Sequence, residues 1–166
     1  MRKILRIVED NRASSGVRFV NYTVDLIVLI VINTILSFVS VWIYNYTSIN
    51  FFYFYNNGGL LWEFFCGNLV SFIYYFLWEN YSNGRTVGKY ITNTMAISTD
   101  GVDMTTQQVL YRTLCRIVPF DALSFLGGGN GWHDNWTDTR VINIKNYVAE
   151  KQAKEEINSI GTKENA

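Results

Sequence analysis

The chain has 166 residues, with 14 basic and 14 acidic side chains and a formal net charge of zero. That balance removes any global reason to expect a nucleic-acid partner. Charged residues make up 17%, against about 25% in an ordinary soluble domain, and aromatic residues reach 16%. A soluble domain this small has little interior for so many rings, whereas a bilayer accepts them, above all at its interfaces.

The first long apolar stretch runs from Phe19 to Tyr44 and contains one ionisable residue, Asp25. As a helix it reaches roughly 39 Å, enough to cross a bilayer with tilt. It begins late and is long for a cleaved signal, so it is expected to be a retained first span. The connection from Asn45 to Gly59 mixes Asn, Tyr and Phe. It is expected to be a short turn region with its aromatic rings at headgroup depth. The second stretch, Leu60 to Trp78, carries one ionisable residue, Glu63. It reaches roughly 28 Å and matches the hydrocarbon core.

After a polar break, Ile91 to Thr99 is rich in β-branched residues and predicts a strand closed by the Asp100-Gly101 turn. Thr105 or Thr106 is placed to cap a third helix over about residues 107–126. Arg112 and Arg116 lie four apart, on one face of that helix. The pattern predicts an amphipathic or re-entrant helix, lying at the interface or packed on the two spans, with its arginines turned toward headgroups. A lipid-exposed span is disfavoured, because each arginine at the midplane costs at least ~2.5 kcal/mol. Three full spans are the alternative. The glycines Gly127 to Gly129 read as a flexible exit from this helix. His133-Asp134 follows, and Arg140 to Ile144 alternates like a strand able to pair with Ile91–Ser98. Residues 149–166 form a polar C-terminal tail, mobile or a frayed helix.

The predicted architecture is therefore mainly α and membranous: two transmembrane helices, the third helix, and a small cytoplasmic β element. The connection between the spans has no Lys or Arg, while the segments before the first span and after the second carry all the basic residues. The positive-inside rule then puts both termini in the cytoplasm of a multi-pass plasma-membrane protein. Trp42, Trp62, Trp78, Trp132 and Trp136 are expected to be interface anchors. Cys66 and Cys115 are expected to behave as small buried hydrophobes.

Buried charge near lipid must be neutralised. Arg18 and Asp25 are seven apart and share a helix face, with Arg112 and Arg116 as further cations and Asp134 as a further acid. These five residues are expected to form an ion-pair cluster pinning the third helix to the first span. The other reading makes Asp25 a proton- or cation-exchanging carboxylate. Glu63 and His133 are secondary candidates, the former reaching the outer headgroups and the latter in a hydrogen-bonded turn. No catalytic constellation, cofactor motif or metal set is expected with one histidine.

Four motifs occur in order: Arg18 with Asp25; Gly84-Arg-Thr86-Val-Gly88-Lys89, then Asp100-Gly101; Arg112 and Arg116 with Pro119-Phe120-Asp121; and His133-Asp134 with Thr139-Arg-Val141. In these the chain resembles the RDD family of small integral membrane proteins. Asn21 departs from the small residue usual there. The resemblance implies a single membrane domain over residues 1–148. No enzymatic activity is expected, because no catalytic constellation appears in the sequence. The resemblance is compatible with a scaffold or accessory subunit held by a heteromeric membrane partner. Some relatives are linked to sodium/proton antiport, which implies the alternative of an ion or small-solute transporter. Two spans cannot enclose a path, so transport requires a homo-oligomer or a partner subunit.

Overall fold

The computed structural model describes residues 4–53, 55–56, 58–118, 121, 124 and 131–164, with side chains as far as Ile157. A short helix α1 (Arg6–Asp10) precedes the long helix α2 (Ser15–Thr47). The Ser14 side chain accepts the Val17 N–H and so satisfies one of the donors that a helix start leaves open. At 33 residues α2 reaches about 50 Å. It ends at Ser48, whose φ of 55° puts the backbone in the left-handed region. Helix α3 (Leu60–Tyr81) returns alongside it. Both helices are long and apolar enough to cross a membrane, and each extends beyond the span expected from its apolar run.

The connection between them does not stay at the helix tips. After a 3₁₀ turn over Asn50–Tyr53, the chain lies back along α2. The Ser40 hydroxyl donates to the Phe52 carbonyl, Ser37 donates to Asn56, and the Tyr55 hydroxyl donates to Asn33. Asn33 lies about 21 Å along the helix from Thr47. The connection is therefore more than the short turn expected, since it runs back along the helix. The connection's polar groups need partners, and α2 supplies Asn33, Ser37 and Ser40 on one face.

Beyond α3, Gly84 has φ of 76°, and its N–H bonds the Glu79 carbonyl while its carbonyl accepts the Ala96 N–H. A Cβ there would lie 2.1 Å from the Ala96 oxygen, so the turn requires glycine. Helix α4 (Val87–Ile91) then packs against α2. A Cβ on Gly88 would meet the Asn21 carbonyl oxygen at 2.3 Å. Asn21 uses its side chain there, donating to Thr94 and accepting from Thr92.

Strand β1 (Thr94–Ser98) pairs antiparallel with β2 (Thr139–Asn143), in the register Thr94↔Asn143 to Ser98↔Thr139. The expected pairing is thus present. The N-terminal segment adds to it, with Ala13 N–H bonding Val141 O and Asn143 N–H bonding Asn11 O. One sheet face packs Ile97 and Ile142 on Val8, the other Ala96 and Val141 on Ala13, as strand alternation requires.

Helix α5 (Thr106–Cys115) starts with a capping box in which Thr105 and Gln108 satisfy each other's backbone N–H groups. It has ten residues, about 15 Å, too short to cross. Its orientation also corrects the expectation of arginines turned toward headgroups: Arg112 is fully buried, while Tyr111, Leu114, Ile117 and Val118 point outward. Residues 119–120, 122–123 and 125–130, including the glycine exit, lie outside the described residues. Short helix α6 (Trp132–Trp136) leads into β2, and the polar tail forms helix α7 (Ile144–Glu164).

Among the described residues, the buried set contains more polar and charged side chains than hydrophobic ones, while α2 and α3 expose Leu, Ile, Val and Phe. That reverses the arrangement of a water-soluble domain and suits a molecule with lipid around its helices. All five tryptophans are at least 38% exposed. Trp42 and Trp62 lie toward one end of the α2–α3 hairpin and Trp78 toward the other. Trp62 and Trp78 are separated by about 24 Å of helix, close to the thickness between two interfaces.

Candidate functional site: a buried ionic centre beside a cavity

Where α2, α3, α4, α5 and α6 converge, two buried carboxylates collect four cations. Glu79, at the end of α3, accepts from Lys89 Nζ at 2.7 Å, Arg112 Nε at 3.2 Å and Arg116 Nη2 at 2.7 Å. Asp134, on α6, accepts from Arg18 of α2 and from Arg112 of α5. Arg112 is fully buried, joins the two acids, and also donates to Thr139 at the start of β2. Its planar fork suits this bridging, because separate N–H groups can address two acceptors. Arg116 lies over the Tyr75 ring, 4.2 Å from its centre.

The charges are strongly coupled. Burial works against the Asp134 carboxylate, but Arg112, His133 and Arg18 outweigh it and hold the pKa well below the usual carboxylate range. Burial likewise opposes Arg112, and Asp134 and Glu79 reverse that and raise it. Burial also opposes Arg116, whose pKa Glu79 raises. Lys89 goes the other way: burial lowers its ammonium to about 8, against the attraction of Glu79.

A smaller acid–imidazole pair sits beside this centre. His133 Nδ1 lies 2.6 Å from Asp121 Oδ2, and the His133 backbone N–H donates to Asp121 Oδ1. His133 Nε2 is 3.7 Å from Asp134. Burial lowers the His133 pKa despite Asp134. Burial opposes the Asp121 charge, but its hydrogen bond with His133 pulls its pKa down.

Four of the five expected cluster members, Arg18, Arg112, Arg116 and Asp134, are thus together. Asp25 is not paired as expected: among the described residues no cation lies within ion-pair distance of it. Instead its carboxylate accepts from the Tyr74 hydroxyl at 2.8 Å, the Thr86 hydroxyl at 2.7 Å and the Gly88 N–H at 2.9 Å. Three neutral donors thereby tie α2 to α3 and α4. Glu63 stands apart, exposed in the first turn of α3. His133 is in a hydrogen-bonded turn, and its ring also joins the ionic centre.

Sequence reasoning missed Glu79, Lys89 and Asp121 as members of the site. A signal was present: Arg112 and Arg116 share a face and need acids, and Glu79 directly follows the tryptophan that ends the second apolar run.

A cavity of about 210 Å³ adjoins the centre, lined by Arg18, Lys89, Arg116, Asp25, Asp121 and His133 on its polar side. Leu26, Leu29, Asn68 and Ser71 also line a groove between α2 and α3 that continues to Asn33 and Glu63. Among the described residues no group of three or more His, Cys, Asp or Glu is arranged to hold a metal ion.

Two long apolar helices, closed at one end by a buried ionic centre and a small sheet, define a membrane protein. The sequence model of the RDD family matches residues 12–143, most of the chain. The chain belongs to the RDD family. No curated protein and no solved structure matches it.

Proposed function

We propose that the chain is a non-enzymatic scaffold or accessory subunit of a plasma-membrane complex, with both termini and the ionic centre on the cytoplasmic side. The observation that carries this reading is the cross-linking pattern of the centre. Arg18 of α2 meets Asp134 of α6, Arg112 of α5 meets Glu79 of α3 and Asp134, and Lys89 of α4 meets Glu79. The charges are spent on holding five elements in one geometry. A clamp of this kind presents α7 and the sheet as a fixed platform for a heteromeric partner, while the exposed apolar faces of α2 and α3 sit in lipid.

A second reading, an oligomeric ion or small-solute transporter using Asp25, is favoured by one observation: the cavity beside Asp25 runs on into the groove that reaches Glu63. Asp25→Asn separates the two readings. Loss of pH-dependent sodium flux into vesicles by a variant that still inserts and assembles supports transport. Loss of assembly, with wild-type flux no greater than that of empty vesicles, supports the scaffold. Retention of assembly, with no partner co-purifying in mild detergent, counts against the scaffold. A cysteine placed at Lys151 tests the orientation: labelling from outside overturns it.

A further inference from the structure

The surroundings of the cavity are balanced in charge. Asp25 and Asp121, together with Glu79 and Asp134 of the ionic centre, stand one for one against Arg18, Lys89, Arg112 and Arg116. Asp25 and Asp121 already have their donors. A charged occupant would upset that balance where charge is costly, so the site suits an uncharged one.

The polar groups left over are neutral. Tyr75 lines the cavity and is 6% exposed, and its hydroxyl makes no hydrogen bond among the described residues. Its ring is fixed between Tyr74, 5.1 Å away centre to centre, and the Arg116 guanidinium. Among the described residues, the buried polar side-chain atoms with neither a partner nor open surface are Arg85 Nε, Thr99 Oγ1, Arg112 Nη2 and Arg116 Nε. The Tyr75 hydroxyl is not one of these, so it keeps open surface at the cavity wall. Tyr22 also lines the cavity with a hydroxyl that has no partner among the described residues. Asn68 donates its amide to the Phe64 carbonyl, and its own oxygen accepts nothing among the described residues. Buried polar groups are rarely left unpaired. Two hydroxyls and an amide oxygen are completed without charge by a group that both donates and accepts, which is a hydroxyl.

The cavity also leads into an apolar path. Leu26, Leu29, Asn68 and Ser71 line both it and the groove between α2 and α3. The groove follows α3 for about 12 Å from Ser71 to Glu63, walled by Leu26, Ile30 and Phe64. Its floor at Gly67 is open, since a Cβ there would meet nothing within 4 Å. Leu26 is 40% exposed, on the lipid-covered side of α2. Tyr75 lies about 4.5 Å along α3 from Trp78. The hydroxyl-lined end thus sits just beneath an interface ring, and the groove runs on toward the depth of the lipid chains.

We infer that the cavity and the groove together bind one neutral lipid with a hydroxyl-bearing head, of the acylglycerol class. The glycerol hydroxyls meet Tyr75, Tyr22 and Asn68, and an acyl chain lies along the groove over Gly67. This assignment rests on neither reading of the function given above. It uses no group that the ionic clamp uses.

The test is thermal unfolding of the full-length chain in phosphatidylcholine nanodiscs doped with monooleoylglycerol, with methyl oleate, which has the chain without the hydroxyls, or with glycerol alone. Binding to the folded state raises Tm with ligand concentration. A rise with monooleoylglycerol, and none with the other two at equal concentration, is expected. Tyr75→Phe removes a hydroxyl that holds nothing in the protein. It should keep the Tm of the undoped sample and weaken the apparent affinity about fivefold, the usual worth of one hydrogen bond. Gly67→Leu fills the groove, leaves every polar group in place and should abolish the response. The inference is overturned by a wild-type Tm that does not respond to monooleoylglycerol, or that responds equally to methyl oleate or to glycerol. Unchanged affinity in either folded variant overturns it as well.

Discussion

Asp25 and Asp134 are both buried acids, 2% and 0% exposed, in neighbouring parts of the same molecule, yet they are satisfied by different means. Asp134 sits among cations, and its partner Arg112 also serves Glu79. Asp25 sits among two hydroxyls and a backbone N–H, with Asn21 and Gly88 packed beside it. The first arrangement couples several elements through shared charges, so removing one member leaves others uncompensated. The second is a smaller set of directional bonds between α2, α3 and α4, with no shared charge left uncompensated when it is lost. A buried carboxylate near lipid therefore does not by itself announce an ion pair or an ion pathway. The donors around it decide which it is.

Four measurements sharpen that contrast. The largest effect is expected from Arg112→Met, which strands Glu79 and Asp134 without their shared cation. Reversible unfolding in mixed micelles should show a loss of about 3–5 kcal/mol. A loss below about 1 kcal/mol would mean that the centre is not the coupled unit described.

Asp25→Asn should cost less, about 1–3 kcal/mol, because two of its three donors still find the amide oxygen or rearrange around it. A loss equal to that of Arg112→Met would erase the distinction between the two sites.

The third is pH dependence. The His133 pKa is lowered from 6.5 by burial, and that of Asp121 is held below 3.8 because the His133 hydrogen bond outweighs burial. For both groups the unfolded chain binds a proton at a higher pH than the folded chain does, so stability falls on acidification. The His133 contribution is complete above pH 6.5 and declines below it. That of Asp121 is complete above pH 3.8 and is lost below it. The expected slope is at most about 1.4 kcal/mol per pH unit for each group. His133→Gln should flatten the decline that begins below neutral pH, and an unchanged curve would remove His133 from the centre.

The smallest effect belongs to Glu63→Gln. Glu63 is exposed and far from both acids, so stability should change by no more than about 0.5 kcal/mol. A larger loss would mean that the far end of the groove carries a buried partner for it.

Much of the fold was legible in the residues, because it rests on local physics. The apolar runs around Val28 and Val70 require a helix in a low-dielectric surrounding. The β-branched run before Asp100-Gly101 and the alternation at Arg140–Ile144 require strands, and Thr105 caps the helix that follows it. That Arg18, Arg112, Arg116 and Asp134 gather was expected from the cost of burying charge together with their places in the chain, although the same cost also put Asp25 among them. What tertiary structure decided was which group meets which. Arg112 and Arg116 lie four apart whether their face turns outward or inward, and only the packing of Glu79 and Asp134 against it turned that face in. Asp25 looks like an ion-pair partner in the sequence, but Tyr74, Thr86 and Gly88 reach it through the return of α3 and the close approach of α4. Likewise nothing within Asn45–Gly59 states that its polar groups fold back onto Asn33, Ser37 and Ser40. Periodicity and composition act within one element, whereas the choice of partners depends on distances across elements, which exist only after the chain has packed.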